Sequence, residues 1–291
     1  MRIVFLTTTT MVAFAANSIL CRLALGDAAI DAASFTTLRL ASGAIMLLVV
    51  SGLASRGKAT NDSGDWGSAV ILFVYAIAFS YAYVNLAAGV GALILFGSVQ
   101  ATMILVAVAR GERPHGLEWL GLVAALSGLV YLVLPGWSAP SLSGSSLMAA
   151  SGIAWGLYSL RGRRAANPTQ AITGSFVRAL PLALIVSAIA FRGISLSPRG
   201  VVLAIVSGAL TSGLGYILWY IALKGLTATR AAIVQLTVPV IAAAGGVLFL
   251  AEDISVRLIV SSILILGGVA LSVSVRSSSG PSGAGHPSPH H

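Results

Sequence analysis

FLAEDISVRLIVSSILILGGVA (Phe249–Ala270) lies on ARGERPHGLEWLGLVAALSGLV (Ala109–Val130) when the chain is slid along itself by about 140 residues. Glu252 then falls on Glu112, Leu266 on Leu126 and Gly268 on Gly128. Two further matches follow in the same order at nearly the same offset. FAANSILCRLA (Phe14–Ala24) lies on WGLYSLRGRRA (Trp155–Ala165), and AASFTTLRLASGA (Ala32–Ala44) lies on AITGSFVRALPLA (Ala171–Ala183). They pair Ser18 with Ser159, Arg22 with Arg163 and Arg39 with Arg178. Each match is weak alone, but their common order and offset mark one unit used twice.

Each unit holds five apolar runs near the length of about 20 residues that a helix needs to cross a bilayer. They are Ile3–Leu25, Ala32–Leu53, Trp66–Leu86, Val90–Ala109, Leu117–Leu134, Leu142–Leu160, Ala171–Phe191, Gly200–Leu223, Ala231–Leu250 and Ile254–Val275. The connectors are short and rich in turn residues, with no room for a soluble catalytic domain. Composition agrees: 57% of the 291 residues are hydrophobic and 9% charged, with a mean hydropathy of +0.96. That is too little polar surface to clothe a soluble globule. The expected fold is an all-α membrane protein of ten transmembrane helices, arranged as two five-helix inverted-topology repeats. The halves are residues 1–137 and 141–276, and 277–291 is a flexible tail or expression remnant. Arg2 and the A-F-A of Ala13–Ala15 resemble a secretory signal, but the apolar run continues past Ala15 and has a partner in mid-chain.

Two successive halves with an odd number of spans must sit upside down to each other, and loop charges should show it. With both termini in the cytoplasm, Arg2, Arg56, Lys58, Arg110, Arg113, Arg161, Arg163, Arg164, Lys224, Arg230 and Arg276 fall inside. Only Arg192, Arg199 and Arg257 fall outside. The net charge of +9 therefore reports topology; there is no continuous basic patch for a nucleic acid.

Inverted repeats are an architecture of secondary transporters, in which two halves rock about a central site. A membrane enzyme would need a catalytic cluster at a membrane face, and His115 has only Glu112 and Glu118 near it in sequence. No filter-like repeat suggests a channel, and phosphate-binding motifs for ATP are absent. The single cysteine, Cys21, excludes an internal disulfide and a multi-cysteine metal site. No metal or cofactor is expected. The expected partners are a small-molecule substrate and the lipid bilayer, with a monomer or weak oligomer.

Trp155-Gly156, an Arg in the second helix of each half (Arg39, Arg178), YILWYIAL (Tyr216–Leu223), VQLTVPVIAA (Val234–Ala243) and Glu252 together resemble the EamA-type drug/metabolite transporters. The resemblance covers roughly Phe5 to Val275. The first half departs from the pattern, with Phe14-Ala15 in place of Trp-Gly and Val99 in place of Pro239. That divergence resembles the YddG-type aromatic amino-acid exporters of bacterial inner membranes. The resemblance implies a cavity surrounded by helices one to four and six to nine, export of amino acids, aromatic ones included, and multi-pass insertion in the inner membrane. Export of drugs, quaternary amines or other metabolites is the alternative.

All eight acidic residues fall in loops or at span ends, and no His lies in a span. Intramembrane proton relays use such groups, so facilitated export is expected. The candidate site then rests on amides and rings. Asn17, Ser18 and Gln100 lie within spans, where amides can hydrogen-bond an amino acid without carrying full charge or can join helices to each other. Tyr75, Phe79 and Tyr83 form one stripe of the third helix. Tyr216, Trp219 and Tyr220 lie on its repeat partner, and Trp155 and Tyr158 on the sixth helix. These residues are expected to line the cavity. Pro239 and Pro181 are expected as hinges, and Arg22 and Arg163 as gate residues. Arg39 and Arg178 could serve as carboxylate anchors, but, lying about two turns into their helices and off the midplane, they are read as structural, capping carbonyls or snorkelling to the interface.

Overall fold

The computed structural model describes residues 2–55, 64–109, 111, 116–136, 139–162, 165, 167–223, 226 and 234–278. Arg163, Glu112, His115 and most of the basic loop residues lie outside them. The described chain is helical throughout. In order come α1 (Arg2–Gly26), α2 (Ala32–Ser55), α3 (Trp66–Tyr83), α4 (Ala88–Ala109), α5 (Gly116–Val133), α6 (Leu142–Gly162) and α7 (Pro168–Ile189). A short 3₁₀ turn (Phe191–Gly193) leads to α8 (Pro198–Val206), a π-helical stretch (Ser207–Leu214), α9 (Gly215–Leu223), α10 (Thr237–Leu250) and α11 (Val256–Ser278).

The starts of these helices are set by short polar side chains. Asp65 accepts from the Ser68 N–H, Asn167 from Gln170 and Ser197 from Gly200, each satisfying a donor that has no partner within its helix. Pro168 and Pro198 occupy first-turn positions, where a missing N–H costs nothing. Ala251 ends α10 in the left-handed conformation (φ 51°).

Among the described residues, six helices are long and apolar enough to cross a membrane, the π-containing Pro198–Ala222 counted as one. Trp119–Val133, Thr237–Leu250 and Val256–Leu271 are shorter apolar helices. The helix Leu142–Gly162 is long, but Ser143, Ser145, Ser146 and Ser151 lower its hydropathy. The last helix runs through Ser278, two residues into the stretch expected as tail.

One expectation about a backbone break changes. Pro239 was expected to kink a helix running from Ala231, but it sits in the first turn of α10, after a turn at Leu236. Its ring cannot donate to the carbonyl four residues back, that of Gln235, so the helix is interrupted there rather than bent. The glycine-rich eighth run carries a π-helical stretch over Ser207–Leu214. Pro181 lies in the interior of a continuous α7.

The helices of the two sequence halves interleave. α6 packs on α3 and α4, α7 on α2 and α3, α10 on α4 and α1, the π-helical stretch on α2 and α1, and α11 on α5. The core therefore sits at the seam between the halves, and the candidate site lies within it.

Candidate functional site

At this seam aromatic rings from α1, α3, α6 and α9 converge. Phe14 meets Trp155 edge-on, with ring centroids 6.1 Å apart, and Tyr216 at 6.0 Å. Trp155 lies 4.9 Å from Tyr75 and 4.7 Å from Tyr216. The Tyr216 hydroxyl donates to that of Tyr75 at 3.1 Å. These are the offset and edge-to-face arrangements that aromatic quadrupoles favour.

The rings enclose a cavity of about 20 Å³. Its walls include Asn17, Ser18, Tyr75, Phe79, Trp155 and Tyr216, all expected there, together with Phe14, Leu95 and Phe96. This volume holds about one water, so the rings are closed on one another here and leave no room for an amino acid. Phe14 was missed, although the repeat aligned it with Trp155, and the two rings face each other across the seam. Leu95 and Phe96 carried no signal, being ordinary members of a long apolar run.

Five expected lining residues are buried but stand off this wall. The Tyr83 hydroxyl donates to the Ala88 carbonyl at 3.2 Å and holds the turn between α3 and α4. Tyr158 stacks beside Trp155, and Trp219 meets the edge of Phe14. Tyr220 packs against Gly162, where a Cβ would collide with its hydroxyl. Gln100 lies a turn beyond Phe96 on α4, buried, with its Nε2 unpartnered. Asn17 reaches the cavity, but its Oδ1 accepts from Ser207 (2.7 Å) and Thr211 (3.0 Å), tying α1 to the π-helical stretch.

Arg39 overturns the snorkelling expectation. It is 1% exposed. Its Nε donates to Ser212 Oγ (3.0 Å) and its Nη2 to the hydroxyls of Tyr75 (2.9 Å) and Tyr216 (3.4 Å). The guanidinium carbon lies 4.9 Å from the Phe79 ring centroid. Acceptors on α3 and on the two segments across the seam hold the guanidinium inside, so it has no need to reach the interface. Arg178, which the sequence match sets opposite Arg39, donates to the Gly174 carbonyl one turn back.

One end of the bundle is fastened across four segments. Arg22 donates to the carbonyls of Tyr83 and Val84 at the end of α3 and lies 3.4 Å from Glu252. Glu252 in turn accepts from the Ala88 N–H that opens α4. On the same end, Ile30 and Leu196 form a bridge, and Asp31 accepts from Ser195. At the opposite end Asp65 pairs with Arg161, both half-exposed, a pair worth little on its own. Hydrogen bonding to Ser68 is the main influence holding the Asp65 carboxyl below its ordinary range.

Burial raises the Glu252 carboxyl above the usual range, against the pull of Ala88 and Arg22. Desolvation thus offsets part of what the Arg22 ion pair contributes, beside the hydrogen bonds from the Ala88 N–H. Glu252→Gln should fall within about 1 kcal/mol of the parent, whereas Glu252→Ala removes the carboxylate from Arg22, which keeps only the Tyr83 and Val84 carbonyls, and leaves the α4 N-terminus uncapped, at a cost of about 2 kcal/mol. Cys21, fully buried beside Arg22 in the chain, is the natural reporter. Its maleimide labelling should accelerate at least about tenfold in Glu252→Ala and hardly at all in Glu252→Gln. Equal labelling rates in both variants would remove the fastening role.

Residues 142–274 match the EamA-like transporter family. An uncharacterized protein of Pseudomonas aeruginosa is 53% identical over 276 residues, which is 94% of this chain and 96% of that protein. The threonine/homoserine exporter RhtA of Escherichia coli is 30% identical over 185 residues, covering 60% of this chain and 61% of its own length. An uncharacterized transporter of Archaeoglobus fulgidus is 25% identical over 208 residues, 70% of this chain and 74% of its own. A crystal structure at 21% identity shares the fold with a TM-score of 0.64, over 92% of this chain and 99% of its own.

Proposed function

We propose that the chain is a membrane transporter of the EamA type, on the match of residues 142–274 and the similarity to RhtA, and that it exports amino acids, aromatic ones included, from the cytoplasm across a bacterial inner membrane. In this reading ten crossings form two inverted five-helix halves that expose the seam cavity alternately to each side.

The helix partners support it, because they exchange under the repeat. α3 packs on α6 as α9 and the π-helical stretch pack on α1; α4 packs on α6 as α10 packs on α1. Tyr75 and Tyr216, 141 positions apart, touch each other, and so do Phe14 and Trp155 at the same offset. Equivalent residues meet in this way only beside a two-fold axis, where a rocking site belongs.

The observation that carries the substrate reading is the cavity itself, walled by rings at that axis. Flat apolar side chains stack well there. The threonine/homoserine exporter among the relatives supports amino acids as a class. A quaternary amine or other cationic drug fits less well, since the charge beside this cavity is the cation Arg39. No described acidic residue lines the cavity, which favours facilitated export over proton coupling.

The test is efflux of labelled phenylalanine and threonine from proteoliposomes, with and without a pH gradient. Protein-dependent efflux of either that ignores pH is expected. Efflux that vanishes without the gradient would overturn the facilitative reading, and no efflux of either would overturn the amino-acid reading.

A further inference from the structure

We propose that Arg39 is the carboxylate anchor of the transport site, an inference that rests on the amino-acid reading above. A guanidinium stays charged in a protein, and a buried charge with no counterion is costly. Among the described residues Arg39 has no carboxylate partner; it has only hydroxyls and ring faces. Its Nη1 is buried and bonded to nothing. The Tyr75 hydroxyl accepts from both Arg39 and Tyr216, and none of the described residues accepts its proton. The cluster is thus cationic, rich in donors and short of acceptors. A carboxylate answers each of these at once, taking two parallel N–H bonds from a guanidinium.

The guanidinium lies one ring behind the cavity, 5.3 Å from the Tyr75 ring centroid and 4.9 Å from that of Phe79. A cavity of about 20 Å³ does not admit an amino acid, so binding requires Tyr75 on α3 to part from Tyr216 on α9. The carboxylate then replaces the hydroxyl bond that joins the halves, and the substrate side chain settles among Phe14, Phe96 and Trp155. Loading the site and parting the closed rings become one event, which is the differential contact a two-state carrier needs.

Three probes separate the groups: phenylalanine, phenethylamine, which lacks the carboxylate, and 3-phenylpropionate, which lacks the ammonium. Detergent-purified wild type is heated with each, and exchange of each is followed in proteoliposomes. Phenylalanine and phenylpropionate should stabilise the protein and phenethylamine should not. In Arg39→Met the apparent affinity for both carboxylates should fall about 10- to 100-fold, while Arg39→Lys, which keeps a point charge, should fall less. Equal responses to phenylalanine and phenethylamine in wild type overturn the proposal without any variant, even if Arg39→Met fails to fold. So does a folded Arg39→Met with wild-type affinity for phenylalanine. A chloride requirement with no preference for acid over amine assigns Nη1 to a resident inorganic anion and overturns it too. Stabilisation by phenylpropionate but not phenylalanine, abolished in Arg39→Met, keeps the anchor and removes the amino-acid reading.

Discussion

Gly208→Val should yield no protein that elutes as a single species from gel filtration in detergent, and Gly208→Ala should yield a weakened one. The π-helical stretch crosses α2 at this glycine. A Cβ built there would collide with the Arg39 carbonyl oxygen and with Ser42 Oγ. The serine can rotate away, but the backbone carbonyl cannot. Gly43 makes the reciprocal approach, with a Cβ position 3.1 Å from the Gly208 carbonyl. Small residues at helix crossings in lipid serve this purpose, since packing replaces the hydrophobic drive available in water. Inserting a branched side chain pushes α2 off its neighbour and draws Arg39 away from Tyr75 and Tyr216. The cost should reach the upper end of overpacking penalties, about 3 kcal/mol or more. Melting followed by size-exclusion chromatography after heating reads it. A wild-type profile for Gly208→Val would mean that α2 and the π-helical stretch do not approach as described.

The second large effect is expected at Trp155. Its ring touches those of Phe14, Tyr75, Tyr158 and Tyr216, so it joins α1, α3, α6 and α9. Truncating a buried large aromatic costs about 3–5 kcal/mol, and its ring pairs are worth about 0.5–1.5 kcal/mol each beyond burial. Trp155→Ala should therefore lower stability by about 4 kcal/mol. Because Trp155 also walls the cavity, the KM for phenylalanine should rise at least about tenfold, with a smaller rise for threonine. Trp155→Phe, which keeps a ring, should recover most of both. Equal losses for phenylalanine and threonine in a folded Trp155→Ala protein would reduce Trp155 to packing alone.

Much of the site was legible in the sequence, for identifiable reasons. The stripe Tyr75, Phe79, Tyr83 follows from helical spacing alone, but spacing gives a face and not a depth along it. Tyr75 and Phe79 reach the cavity, while Tyr83, one turn further on, reaches the Ala88 carbonyl at the end of the bundle. Gln100 fails for the related reason that its helix presents Leu95 and Phe96 to the cavity a turn earlier. Phe14 was available from the sequence match, which sets it opposite Trp155, the ring it meets.

Apolar patterning by itself determined that this chain is a bundle of membrane-length helices. Runs of about 20 apolar residues have no other way to satisfy their backbone in lipid. The repeat added which positions are counterparts. Only the tertiary structure decided what those counterparts do. Arg39 and Arg178 align in the sequence match, and nothing in that match shows that Arg39 is drawn inside by Ser212, Tyr75 and Tyr216. Those partners lie 36 to 177 positions away in the chain. The environment of a buried charge is made by residues that meet only when the helices pack, and no local pattern around Arg39 records them.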